Sequence, residues 1–272
     1  MMELAVSDRD KATAWLLIGA IFFAMRSCEY LKTCSQEESK RTKILRIKNF
    51  TFIKNKKVLS LKSNRLHSAD LVKIVFEFQK NDKRNQSVHM YKTDDKVLNP
   101  VLAWARTIER LWKTIPDVSL ETKVCEFLSG DKVIDLSSYV IRSHLKAAVE
   151  VIGEGVLGFT KEDIGLHSLR SGGAMAMFLS GVNEVIIKRV GRWSSEAFLE
   201  YIREQVDSFT VGVSQKMLEN ENFHHLNDDV FDSKEEDDTK ENSSNSDGVV
   251  HIPFDIHYSK SVLESLFSNL SM

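Results

Sequence analysis

The chain has 272 residues, 42% hydrophobic and 28% charged, with a formal net charge of −2 and three cysteines. That is enough apolar material for one large domain or two small ones with a sizeable core. Cys28, Cys34 and Cys125 show neither metal-ligand spacing nor a disulfide framework, which excludes a stapled scaffold and points to a reducing, intracellular compartment.

Ser7 is an N-cap, with Asp8 and Asp10 in the first turn, and the stretch to about Lys32 reads as one largely buried helix. Its apolar run, Ala14 to Met25, is 12 residues. That is too short to span a bilayer, so no membrane partner is expected. Glu3, Asp8 and Asp10 stand where a signal peptide carries cations.

Between Arg41 and Lys57 there are seven cations and no acid. Residues 43–53, within that stretch, read as a strand, and 57–62, at its end and beyond, as a second. Residues 72–78 are strand-like, 80–85 form a polar turn and 87–91 the return strand of a hairpin. From Pro100 onward the pattern is helical, with Val101, Leu102, Ala105, Ile108, Leu111 and Trp112 at helical spacing. Trp15, Trp104 and Trp112 read as core. A further helix runs from Leu136 to Ile152, capped by Ser137 or Ser138, and 153–158 is a glycine-rich loop.

Helices follow at about 167–180, 183–190 and 195–206, with Asn183 capping the second and Gly191 stopping it. Gly172 and Gly173 lower helix propensity and fit a close approach by DNA or by a neighbouring helix. From Glu219 to Asp247 there are 11 acids and two lysines, which leaves +7 on the rest of the chain. The expected organisation is a folded domain over 1–218, an acidic disordered linker over 219–250 and a short amphipathic segment over 251–272. Leu263, Leu266, Phe267 and Leu270 give that last segment an apolar stripe, which fits either docking or a weakly ordered tail. A basic body with an acidic tail suits a polyanionic partner; an ordinary solvated basic surface accounts for the same charges.

His167 and Arg170 lie at i, i+3 on one helical face, and Tyr201 follows 31 residues after Arg170. A guanidinium matches two phosphate oxygens, an imidazole exchanges protons near neutral pH, and a tyrosine attacks only a phosphate already polarised by cations. The set suggests breaking and rejoining DNA through a phosphotyrosine bond.

The segment Gly-Leu-His-Ser-Leu-Arg-Ser-Gly-Gly-Ala, residues 165–174, resembles the H-x-L-R box of the tyrosine recombinase (phage integrase) family. Val190-Gly191-Arg192-Trp193 and Tyr201-Ile202-Arg203 resemble that family's segment ending in the nucleophile, with ten residues from Gly191 to Tyr201. The wording is most similar to recombinases of eukaryotic mobile elements, including the Crypton type. Arg26-Ser27-Cys28-Glu29 resembles the box of the first catalytic arginine, and the turn 79–84 resembles the lysine hairpin.

The resemblance covers about residues 5–215. It implies a mixed α+β fold, mainly α-helical, with a small antiparallel sheet: the tyrosine recombinase catalytic domain. It implies Arg26, Lys80, His167, Arg170 and Tyr201 as catalytic residues, with Lys83 the alternative to Lys80. Either Arg192 or Trp193 fills the second histidine or tryptophan slot. Glu29 is a structural companion of Arg26, holding a helix end or a neighbouring cation.

Lys43, Arg46, Lys48, Lys83 and Arg84 are the expected DNA-binding cations. The implied activity is recombination or integration of double-stranded DNA through a 3′-phosphotyrosyl intermediate, with self-assembly on DNA, no metal and no cofactor, in the nucleus of a eukaryote. Family members usually carry an N-terminal helical clamp domain, which this chain is expected to lack. Two other readings fit parts of the pattern: a helix-turn-helix binder over residues 174–193, and a recombinase derivative that binds DNA without cutting.

Overall fold

The computed structural model describes residues 7–32, 43–78 and 84–194. Helix α1, Asp8–Phe22, begins where Ser7 Oγ accepts from the Asp10 amide. It does not run to Lys32 as its apolar pattern suggests. It stops at Phe22, Ala24 takes a φ of +42°, and a one-turn helix α2 follows at Ser27–Tyr30. No glycine or proline marks this break. The local device is Glu29, whose carboxylate accepts from the Arg26 amide and so caps the new turn.

The next elements form a four-stranded antiparallel sheet: β1 Phe50–Lys54, β2 Lys57–Leu59, β3 Leu71–Phe78 and β4 Arg84–Tyr91, in the order β2-β1-β3-β4. Residues 47–49 are a 3-10 turn rather than the start of β1, and β2 ends at Leu59 rather than residue 62. Phe50, Phe52, Val72, Ile74, Phe76 and Val88 are buried, and alternation along the strands puts them on one face.

That face meets helix α3, Pro100–Thr114, which is capped by Asn99 and carries Pro100 in its first turn. Trp104 of α3 is fully buried against Phe50 and Phe23, with ring centroids 4.8 and 6.4 Å apart. Trp15 and Trp112 are only half-buried.

α1 packs on α3 at Gly19, where a Cβ would lie 2.5 Å from the Trp104 ring. The N-terminus of α1 is tied down by Asp8, which accepts from Arg110 Nη1 at 2.9 Å and from the Leu128 amide at 3.0 Å.

The helical reading beyond Pro100 needs one correction. Pro116 ends α3 by forcing Ile115 into extended backbone. A hairpin then intervenes, β5 Glu126–Ser129 and β6 Lys132–Asp135, turning at Gly130 with φ +60°. Ser129-Gly130-Asp131 was its turn signal.

Helix α4, Ser138–Ile152, is capped by Ser137, as expected. The glycine-rich loop contains a single helical turn, α5 Glu154–Leu157. Helix α6 is Leu166–Leu179 and helix α7 is Glu184–Gly191, with Asn183 Oδ1 accepting from Val185 N. The stop of α7 differs from expectation: Gly191 stays helical and Arg192 takes the left-handed position, φ +58°. The acidic segment, the C-terminal stripe and the helix expected at 195–206 lie outside the described residues. Among the described residues no helix is long and apolar enough to cross a membrane.

The two neighbouring glycines of α6 have different surroundings. A Cβ on Gly173 would sit 2.4 Å from the Ile21 carbonyl oxygen at the end of α1, whereas one on Gly172 would meet nothing within 4 Å. Gly173 therefore serves a helix–helix approach. Gly173→Ala is expected to destabilise the fold by about 1–3 kcal/mol. Gly172→Ala should be neutral or stabilise by up to about 1 kcal/mol. Urea unfolding of the two variants checks this; equal effects would contradict the packing.

Candidate active site

Two helix C-termini meet in this fold, that of α1 at Phe23–Ala24 and that of α7 at Val190–Gly191. Each presents carbonyls with no helical partner and the negative end of a helix dipole. Two arginines join them. Arg170, in the second turn of α6, donates from Nη1 to Ala24 O at 2.5 Å and from Nη2 to Gly191 O at 2.6 Å. Arg192 donates from Nη1 to Phe23 O at 3.1 Å and to Val190 O at 2.8 Å. Each guanidinium thus spans the same gap, and each is almost wholly buried, 1% and 2% exposed.

A buried charge is tolerated only when paired and hydrogen-bonded. The counter-charge is Glu29, itself 1% exposed. Its Oε2 accepts from Arg192 Nη2 at 2.7 Å and from the Arg26 amide at 2.8 Å, and its Oε1 lies 3.3 Å from Arg26 Nη1. One carboxylate therefore serves Arg192 and Arg26.

Aromatic faces complete the enclosure. The Arg192 guanidinium lies 3.8 Å from the Phe76 ring centroid, and that of Arg170 lies 4.1 Å from Trp193. Burial draws the Arg192 pKa down. Glu29 opposes that shift and the Arg26 charge adds to it. Trp193 folds back over Gly191, where a Cβ would fall 1.6 Å from its ring. This contact explains the glycine at that position.

Arg26 is half-buried at the start of α2. His167 is exposed on the first turn of α6. Its pKa is held below the ordinary histidine value, first by partial desolvation of the ring against the protein and then by the charges of Arg170 and Arg26. Arg26 and Arg170 are 144 positions apart in the chain, yet both act on this imidazole.

Lys80, Lys83 and Tyr201 lie outside the described residues. Tyr30 stands next to Glu29 but is a poor nucleophile: its hydroxyl is buried without a partner, and burial pushes its pKa up. Tyr91 and Tyr139 are surface residues, 63% and 73% exposed.

The other expected cations form two groups. Lys43 Nζ and the Arg84 guanidinium lie 4.6 and 5.2 Å from the Phe78 ring centroid at the end of β3. Arg46 and Lys48 instead meet Glu121. Arg46 Nη1 donates to its carbonyl, and Lys48 Nζ reaches its carboxylate at 2.9 Å and that of Glu77 at 3.5 Å. Part of the basic patch is thus already matched by acids.

Sequence reading passed over a cleft of about 370 Å³ between β4 and α7, lined by Gln86, Ser87, Lys188, Arg189, Arg192 and Trp193. Its signal was the Lys188-Arg189 pair in the last turn of α7.

No family model, curated protein or solved structure matches this chain.

Removing the shared carboxylate leaves the Arg192 guanidinium buried without its counter-charge. Glu29→Ala is expected to cost about 3–5 kcal/mol in urea unfolding; a loss under about 1 kcal/mol would contradict a shared buried pair. The imidazole offers a second check. An NMR titration of His167 should give a midpoint below that of a free histidine, and Arg26→Gln should raise it. Because the folded state binds this proton less readily than the unfolded chain, His167's contribution to stability is present above the unfolded pKa of about 6.5 and lost as pH falls below it through the lower folded pKa.

Proposed function

We propose that this chain breaks and rejoins double-stranded DNA by the chemistry of tyrosine recombinases, on that family's catalytic-domain fold. The observation that carries the reading is the gathering of Arg26, His167 and Arg170 at the joined ends of α1 and α7, the latter closing at Gly191, ten residues before Tyr201.

In the reaction, Tyr201 Oη attacks the scissile phosphorus in line. The bond to the 5′-oxygen breaks, and that oxygen takes a proton from Lys80. Arg26 and Arg170 meet the charge that grows on the non-bridging oxygens, Arg170 by exchanging its hydrogen bonds to Ala24 O and Gly191 O for phosphate oxygens. Donors held in place before the reaction stabilise such charge most effectively. His167 has a lowered pKa, so it is mostly neutral at pH 7 and can accept the phenol proton. The product is a 3′-phosphotyrosyl ester. Attack by the 5′-hydroxyl of another strand reverses the step and completes the exchange.

Trp193, stacked on Arg170, suits the second histidine or tryptophan slot better than Arg192, which faces Glu29. Lys43, Arg46, Lys48, Lys83 and Arg84 belong to the DNA-binding surface, on which copies of the chain assemble. A nuclear location follows from a DNA substrate in a eukaryote.

One observation favours the second reading, DNA binding without cleavage. Both Arg170 and Arg192 commit guanidinium N–H groups to main-chain carbonyls in a nearly inaccessible position.

A nicked suicide duplex separates the two readings. Wild-type protein is expected to form a denaturation-resistant protein–DNA adduct. Tyr201→Phe should abolish the adduct, and Arg26→Ala should slow it about 10²–10³-fold. Salt-sensitive duplex binding with no adduct would establish the second reading instead.

A further inference from the structure

Resting on that reading, we propose that Arg192 is a positioning residue: it fixes the Arg26 guanidinium for the scissile phosphate by sharing the Glu29 carboxylate, and it does not itself contact DNA.

Four observations carry this. First, beyond its own helix end the Arg192 guanidinium meets inward-lying groups: Phe23 O, Glu29 Oε2 and the Phe76 ring face. Arg192 is 2% exposed, so reaching a phosphate would mean leaving all of them. Second, Glu29 is the residue through which Arg192 and Arg26 communicate. Its Oε2 holds both Arg192 Nη2 and the Arg26 amide, while Oε1 holds Arg26 Nη1.

Third, Glu29 lies closer to Arg192, at 2.7 Å, than to the Arg26 guanidinium, at 3.3 Å. Glu29 carries one negative charge. With Arg192 paired to it, Glu29 orients Arg26 through a long 3.3 Å contact. Without Arg192, the whole charge of a buried carboxylate would fall on Arg26 and draw its guanidinium inward. Fourth, the left-handed backbone at Arg192 lets its side chain turn back under α7, while the next residue, Trp193, covers Arg170. The two adjacent residues thus act on different arginines.

The experiment compares Arg192→Met, Arg26→Ala and their double variant with the wild-type full chain. Arg192→Met keeps an apolar stem against Phe76 and loses the fork. Arg192→Gln also loses the charge opposite Glu29 but can still hydrogen-bond to it, and it carries the test if Arg192→Met does not fold. The rate of adduct formation at saturating protein and the Kd for the same duplex are measured separately.

Arg192→Met is expected to slow adduct formation about 10²-fold, the scale of an ångström-sized misplacement, and to leave Kd within about threefold. The double variant should be no slower than Arg26→Ala alone, since there is then no guanidinium to position. A tenfold weaker Kd with an unchanged saturated rate would overturn the proposal in favour of direct DNA contact. Multiplying losses in the double variant would overturn it in favour of an independent or merely structural role.

A readout free of cleavage separates this proposal from the functional reading. As Arg26 turns onto Glu29 and away from His167, the His167 NMR titration midpoint should rise in Arg192→Met, with no further rise when Arg26 is already alanine. If wild-type protein forms no adduct, the recombinase reading fails. The His167 titration then still decides whether Arg192 positions Arg26, and an unmoved midpoint would overturn it.

Discussion

The structure depends on one constraint: two helices end against each other, and their like-polarised C-termini must be reconciled. Carbonyls of Phe23, Ala24, Val190 and Gly191 crowd into a dry interface. Water cannot serve them there, and dipole ends of the same sign repel. Two guanidiniums supply both the donors and the positive charge. Arginine suits this task because its planar fork reaches two acceptors at once and stays ionised when buried. Hydrogen bonds to charged groups are worth about 1.5–3 kcal/mol each, so the joint is strong in the direction that holds α1, α6 and α7 together.

The same joint frames the candidate site. Of the two buried arginines, Arg192 is neutralised by Glu29, and Glu29 also caps α2 and contacts Arg26. Arg26 is thereby set near His167 and at the foot of the segment that leads to Tyr201. On the proposed reading, stability and chemistry use the same groups. The distinction between them lies in exposure: Arg192 and Glu29 face inward, Arg26 is half-buried and His167 is open to solvent. The packing that brings α6 against α1 depends on Gly173 having no side chain at Ile21.

Much of this was legible locally. Hairpin β3–β4 followed from alternation on either side of a polar turn. α3 followed from its apolar spacing after Pro100, and the caps Ser7, Ser137 and Asn183 all stand where their side chains suggest. Hairpin β5–β6 was missed although Gly130 signalled it, because its strands are four residues each, too short for alternation to stand out against helical neighbours. Glu29 was recognised as a companion of Arg26, but its second partner was not.

The sequence by itself determined which chemical groups are present, their order, and the elements whose periodicity is local. Only the tertiary structure decided where α1 breaks, which way Arg192 faces and which arginines share Glu29. The physical reason is distance along the chain. α1 ends where its carbonyls are taken by Arg170 and Arg192, 146 and 169 positions away. A helix end satisfied by remote donors leaves no cap, glycine or proline in the local sequence to announce it.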